Sequence, residues 1–191
     1  MSQHQPPNLR MMVFASLFTA LIVIGGYLSF PIPVSPLPIV LADLFVMLAG
    51  LVLGASWGSA SVGMFLFIGA LGIPVFTGGK AGLAALFGTT GGFLFGYLIG
   101  AFVIGLISGK GKPLFIKDLI ALIAFNIIIF GLGVPWLKLV LKVTWDKALT
   151  FGLLPYIPGN SIKTVAALVL IQALRPLLMI KKPSPRTVEL Q

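Results

Sequence analysis

Apolar residues in this chain run in long blocks separated by short stretches rich in Gly, Pro and Lys. Met11 to Phe30 is a block of about 20 residues, the length needed to cross a hydrocarbon core of roughly 30 Å, and predicts helix 1. It is longer than the apolar core of a signal peptide, and no small-residue cleavage pattern precedes Pro31. Phe30 to Pro38 carries Pro31, Pro33, Pro36 and Pro38, which excludes a helix and predicts a stiff, extended loop. Helix 2 is expected from about Ile39 to Leu53, and a tight turn follows over Gly54 to Gly58. Helix 3 runs from about Ser59 to Ile73, where Pro74 ends it. Helix 4 starts near Gly88, helix 5 spans about Asp118 to Val134, and helix 6 spans Ser161 to Ile180. Between the last two, Lys138, Lys142 and Asp146 recur every four residues with Trp136 and Trp145 beside them, which predicts a helix lying partly in the interface. A rigid turn, Leu154 to Asn160, leads into helix 6.

Composition turns this pattern into a class. With 58% of 191 residues apolar and 9% charged, the chain has too little polar surface for a soluble globule of its length. The reading is an all-α integral membrane protein of six transmembrane helices, a single domain over residues 1–191 with cytoplasmic tails at 1–10 and 181–191. The net charge of +9 comes from basic residues scattered between the spans, which suits loops facing a membrane surface and not a nucleic acid. There is no Cys and a single His, His4, so thiol catalysis, disulfides and the usual transition-metal ligand sets have no raw material. No nucleophile, base and orienter set appears in the spans, which disfavours an enzyme. No Gly-x-x-x-x-Gly-Lys-Ser/Thr sequence occurs either, so any ATP-driven step needs another chain.

The stretch from Gly78 to Gly92 stands out because it joins Gly78-Gly79-Lys80-Ala81-Gly82 to Gly88-Thr89-Thr90-Gly91-Gly92 between two apolar blocks. It predicts a re-entrant or capping loop, since irregular backbone at membrane depth is tolerated only where it lines a site. Gly88, Gly92, Gly96 and Gly100, spaced by four, predict a smooth ridge for close helix packing. Asp43 is the only acid in the first hundred residues; a carboxylate there is costly unless it faces a cavity or a cation. Asn126, in mid-span, predicts an interhelical hydrogen bond. In helix 1, Ala15 and Thr19, and beside them Ser16 and Ala20, form two small-residue strips suited to close packing, inside the protein or against a partner.

Ser108 to Lys117, with Lys110, Lys112 and Lys117, is the most basic connector and is expected to be cytoplasmic. Six spans then put the Pro-rich loop, the Gly78 to Gly92 loop and the Pro155 to Lys163 turn together on the outer side. Lys80 and Lys163 suit a carboxylate there. Asp43, Asn160, Thr89 and Thr90 offer donors and acceptors to a neutral polar head, and Phe76 and Tyr156 offer apolar walls. With Gly79 these form the candidate ligand-binding set, and the chemistry they provide is recognition.

Several of these segments, taken in order, resemble the BioY family, the biotin-specific substrate-binding components of energy-coupling factor (ECF) transporters. They are Leu44-Phe45-Val46-Met47-Leu48-Ala49-Gly50 after the Pro-rich loop, Trp57-Gly58, Gly72-Ile73-Pro74-Val75-Phe76-Thr77-Gly78-Gly79, Gly88-Thr89-Thr90-Gly91-Gly92-Phe93, and Leu154-Pro155-Tyr156-Ile157-Pro158-Gly159-Asn160-Ser161-Ile162-Lys163. The resemblance covers nearly the whole chain. It implies a prokaryotic cell-membrane protein that binds biotin at its outer face and works with a transmembrane coupling subunit and two cytoplasmic ATPases. It also implies that helix 1 offers its small-residue strip, Ala15 and Thr19, to the coupling subunit. The sequence departs from the family pattern at Thr89, where a proline is expected, at Asn160, where an acid is expected, and at Ala42-Asp43, where a polar pair is usual. A biotin relative such as desthiobiotin or lipoate is the alternative ligand, and a self-sufficient small-solute permease the alternative class.

Overall fold

The computed structural model describes residues 9–109 and 115–178. Five helices in it are long and apolar enough to cross a membrane: α1 (Leu9–Tyr27), α2 (Ala42–Ala70), α4 (Gly91–Ser108), α5 (Phe115–Leu141) and α7 (Tyr156–Leu178). Short helices α3 (Gly82–Leu86) and α6 (Trp145–Gly152) and a two-residue hairpin, β1 (Ser29–Phe30) with β2 (Ile39–Val40), occupy the connections. The basic residues expected at 110, 112, 181, 182 and 186 lie outside the described residues.

Five helices stand where six spans were expected because helices 2 and 3 are parts of one element, α2. The cause is Gly54, which at φ 77° and ψ −177° redirects the chain with no intervening loop, a conformation open to glycine for lack of a Cβ. Gly58 then lies against the preceding turn, where a Cβ on it would sit 3.0 Å from the Ala49 carbonyl oxygen. In a straight helix those residues would be separated by more than 10 Å, so α2 doubles back as two arms, 42–53 and 55–70. Both ends of α2 accordingly meet the end of α1. A Cβ on Gly25 would be 2.8 Å from the Ala42 nitrogen, and the Tyr27 hydroxyl donates to the Pro74 carbonyl.

The pivot is seated on α4, where Gly105 touches it so closely that a Cβ would fall 2.0 Å from the Ala55 nitrogen. Because that neighbour is backbone, Gly105→Ala is expected to destabilise the protein by about 1–3 kcal/mol. The matched Gly131→Ala, which has nothing within 4 Å of its Cβ, should leave the thermal midpoint in detergent unchanged.

Helix α4 starts at Gly91 and not at Gly88, so Gly88 falls in the turn before it. The ridge is therefore Gly92, Gly96 and Gly100, which receive Trp136, Ile129 and Phe125 of α5. Helix α5 continues through Pro135 to Leu141, and Lys142, at φ 52°, separates it from α6. Lys138, Lys142 and Asp146 thus do not share one interfacial helix; Lys138 instead lies over the Trp145 ring, 5.0 Å from its centre. Helix α7 starts at Tyr156, earlier than expected, with Pro158 in its first turn, where the missing N–H is harmless. Its buried stripe runs Asn160, Lys163, Ala167, Ile171 and Arg175, polar at both ends and apolar between.

Candidate functional site

The Pro-rich segment leaves α1 through the β1–β2 pairing of Ser29 with Val40, so the loop doubles back over the start of α2. Its prolines donate no hydrogen bonds, and side chains hold it instead. Ser35 Oγ donates to the Phe151 carbonyl at 2.6 Å and accepts from Leu37 N at 3.1 Å. The Tyr156 hydroxyl, 3.0 Å from Ser35 Oγ, reaches the Leu37 carbonyl. On the facing side, the Gly78 to Gly92 stretch folds as a single 3-10 turn (Thr77–Gly79), then α3 and a second turn. Trp136 Nε1 pins that second turn by donating to the Gly88 carbonyl at 2.9 Å. The interfacial role expected of Trp136 is thus replaced by a structural one.

Between these two covers lies a cavity walled by Leu37, Asp43, Phe65, Tyr97, Phe130 and Lys163, among others. It holds about 680 Å³ of space free of atoms, including its open mouth, of which about 70 Å³ can take the centre of a water molecule. The cavity is therefore a narrow slot, largely apolar, with its charged groups on the α2 and α7 side. There Lys163 Nζ donates to Asp43 Oδ2 at 2.5 Å and to the Val40 carbonyl at 3.0 Å. Both side chains of this ion pair are buried. Asp43 Oδ1 is sealed from solvent and has no hydrogen-bond partner. An unmet carboxylate oxygen at the wall of a slot is an acceptor waiting for a donor, since leaving it unpaired carries a desolvation penalty.

Of the expected site residues, Asp43, Lys163, Asn160, Thr90 and Tyr156 come together around this slot. Lys80 does not; it is exposed and lines an adjoining recess with Thr77, Gly78 and Thr90. Phe76 also belongs to that recess, its ring standing edge-on to Phe65 at 5.4 Å and filling the space left by Gly69. Thr89 and Gly79 line neither space. The aromatic walls Phe65, Phe93, Tyr97 and Phe130 were not anticipated, because an aromatic residue inside an apolar helix gives no sign of which neighbour it faces. Helix 1 divides its two small strips: Ala15 and Thr19 are turned inward, with Thr19 Oγ1 donating to the Ser61 carbonyl at 2.9 Å. Only Ser16 and Ala20 are exposed. The expectation that Ala15 and Thr19 form the outward strip is corrected accordingly.

A second polar cluster lies at the opposite end of the bundle, and the sequence reading missed it. Asp118, fully buried, accepts from Arg175 at 3.1 and 3.2 Å, from Ser108 Oγ at 2.5 Å and from Gln172 at 3.2 Å. Arg175 also donates to the Leu51 carbonyl at 3.3 Å and to Ser108 Oγ at 2.6 Å. Every oxygen of this acid is met, so the cluster ties α2, α4, α5 and α7 together and offers nothing to a ligand. Among the described residues, no group of three or more metal-ligating side chains is present.

A multi-pass helical bundle with a capped slot at one end, walled in part by a buried ion pair, has the build of a solute-binding membrane protein. Comparison with known proteins gives its family: the BioY family model matches residues 1–179, and the chain belongs to that family. The "Biotin transporter BioY" of Thermotoga maritima is 40% identical over 169 residues, 88% of this chain and 98% of the relative. That of Lactococcus lactis is 33% identical over 174 residues, 88% of this chain and 92% of the relative. A crystal structure of the S-component for biotin from an ECF-type ABC transporter superposes with a TM-score of 0.79 at 31% identity, covering 92% of this chain and 95% of that one. Membership places the chain among transport proteins, not enzymes.

Proposed function

We propose that this protein is the biotin-capture subunit of an ECF transporter in a prokaryotic cell membrane, with both termini cytoplasmic. In this reading it binds the vitamin at its outer face and delivers it with a transmembrane coupling subunit and two cytoplasmic ATPases. The observation that carries the reading is the Asp43–Lys163 pair with its unmet oxygen. Such a pair is close to neutral, so it suits an uncharged polar ring with N–H and C=O groups better than it suits a carboxylate. The ureido ring of biotin fits that description, and the apolar slot suits its thioether ring and alkyl chain. Lys163 is already neutralised by Asp43, so the free carboxylate falls to exposed Lys80 beside the mouth. Ser16 and Ala20 provide the small, outward-facing strip of α1 for the coupling subunit.

The test is equilibrium titration of the purified protein with biotin, its primary amide, desthiobiotin and lipoate. Biotin and desthiobiotin should bind and lipoate, which lacks the ureido ring, should not; failure of biotin, or lipoate binding as well as biotin, would overturn the reading. In Lys80→Gln, biotin affinity is expected to fall by about two- to fivefold, the size of one exposed ion pair, while the amide binds as to wild type. Uptake into liposomes without any ATPase would instead identify a self-sufficient permease.

A further inference from the structure

Asn126, on α5, does not line the slot and has so far been given no part in recognition. Its amide nitrogen donates to the Leu122 carbonyl at 2.9 Å and to Thr164 Oγ1 at 3.0 Å, and its amide oxygen accepts from Asn160 Nδ2 at 3.1 Å. The polarity of this chain of bonds is fixed at one end. A backbone carbonyl can only accept, so the end of Asn126 that meets Leu122 has to be the NH₂ group. Its oxygen is thereby turned to Asn160, and Asn160 has to answer with its own NH₂ group, because two carbonyl oxygens cannot bond each other. Asn160 Oδ1 is left over, met by no hydrogen bond from the described residues. Asn126 and Thr164 line a groove on the outer flank between α5 and α7, whereas Asn160 borders both that groove and the slot. The nitrogen of Asn160 is thereby committed to Asn126 on the groove side, which leaves its oxygen as the amide atom available to the slot.

We infer that Asn126 is a positioning residue for recognition: by fixing its own amide against Leu122 it makes Asn160 present an acceptor, not a donor, to the ligand. Asn160 and Lys163 are three residues apart on the buried stripe of α7, and Asp43 stands against Lys163. Beside the cationic donor Lys163 this wall then holds two acceptors without partners, Asp43 Oδ1, buried just behind the surface, and Asn160 Oδ1. The complementary ligand edge is two N–H groups flanking one carbonyl, which is a cyclic urea. This rests on the biotin reading above and narrows it to a substrate class, since an Asn160 free to turn over would offer N–H to N–H in half of its orientations.

The full-length protein in detergent, titrated with biotin, tests the inference with three forms: wild type, Asn126→Ala and the double variant Asn126→Ala/Asn160→Asp. Without its anchor the Asn160 amide can reverse, and affinity in the single variant is expected to fall by about tenfold or more, the scale of one hydrogen bond to a buried group. A carboxylate at 160 accepts whichever way it turns, so the double variant should recover to within about threefold of wild type. An unchanged single variant, or a double variant no better than the single, would mean that Asn126 only packs, and the inference fails. Should Asn126→Ala not fold, wild type is titrated with biotin methylated at one or the other ureido nitrogen. Each methylation should weaken binding by about tenfold or more, and retained affinity for either overturns the two-acceptor wall. Absence of biotin binding to wild type defeats the functional reading itself, whereas biotin binding with a flat response to Asn126 defeats this inference alone.

Discussion

Lys163→Ala is expected to lose biotin affinity by well over tenfold and to lower stability at the same time. The Asp43 carboxylate is buried with Lys163 as its countercharge, and removing one member of such a pair typically costs about 3–5 kcal/mol because the other charge stays behind. Binding and stability therefore fall together in this variant, and a second one separates them. Asp43→Asn/Lys163→Met removes both charges and should regain most of the thermal stability, since an ion pair replaced by groups of similar volume is close to neutral. It should not regain biotin binding, because it also removes the unpaired acceptor and its neighbouring donor. Thermal unfolding in detergent and biotin titration on the same samples read both quantities; unchanged affinity in Lys163→Ala would take that residue out of the site.

Arg175→Ala should be the most destabilising substitution on the opposite side of the bundle while leaving the slot intact. Asp118 has no exposure, and the guanidinium gives it two of its four hydrogen bonds. Stripped of that partner, the carboxylate stays buried with only Ser108 and Gln172, at an expected cost of about 3–5 kcal/mol. Arg175→Lys should recover only part of this, since an ammonium cannot reach the carboxylate, Ser108 and the Leu51 carbonyl with one planar fork. In protein that remains folded at low temperature, biotin affinity should match wild type. A loss of affinity with no loss of stability would show that the cluster belongs to recognition and not to architecture.

The class of the protein was legible because chains of apolar residues some 20 long admit few other readings, and the glycine ridge of α4 because a spacing of four needs only helix geometry. The Asp43–Lys163 contact was legible in part. A lone acid in an apolar span demands a cation, but its residues are 120 apart, and the sequence reading assigned that lysine to a ligand carboxylate. The fold-back of α2 was partly legible, since Gly54 announced a turn, but whether helices stop and restart around a glycine or pivot on it depends on Gly105 being small enough to receive the bend. Arg175 was missed although a signal existed. Lys163, Ala167, Ile171 and Arg175 advance by four along one helix, so a buried Lys163 predicts a buried Arg175. The aromatic walls of the slot were beyond reach because their facing is decided by how α4 is rotated against α5, which no local pattern encodes.

The two buried acids, Asp43 and Asp118, sit on helices made early, and both of their cations, Lys163 and Arg175, sit on α7. During synthesis α7, the last described helix, is therefore the one that discharges the interior. Until it enters the membrane, each carboxylate lacks its partner, at a cost below the roughly 2.5–3.5 kcal/mol that insertion scales give a helix centre, since each lies in the first turn of its helix. A nascent chain halted before residue 156 lacks both cations that the folded bundle sets against these acids, so the order in which its helices emerge fixes when its interior charge is balanced.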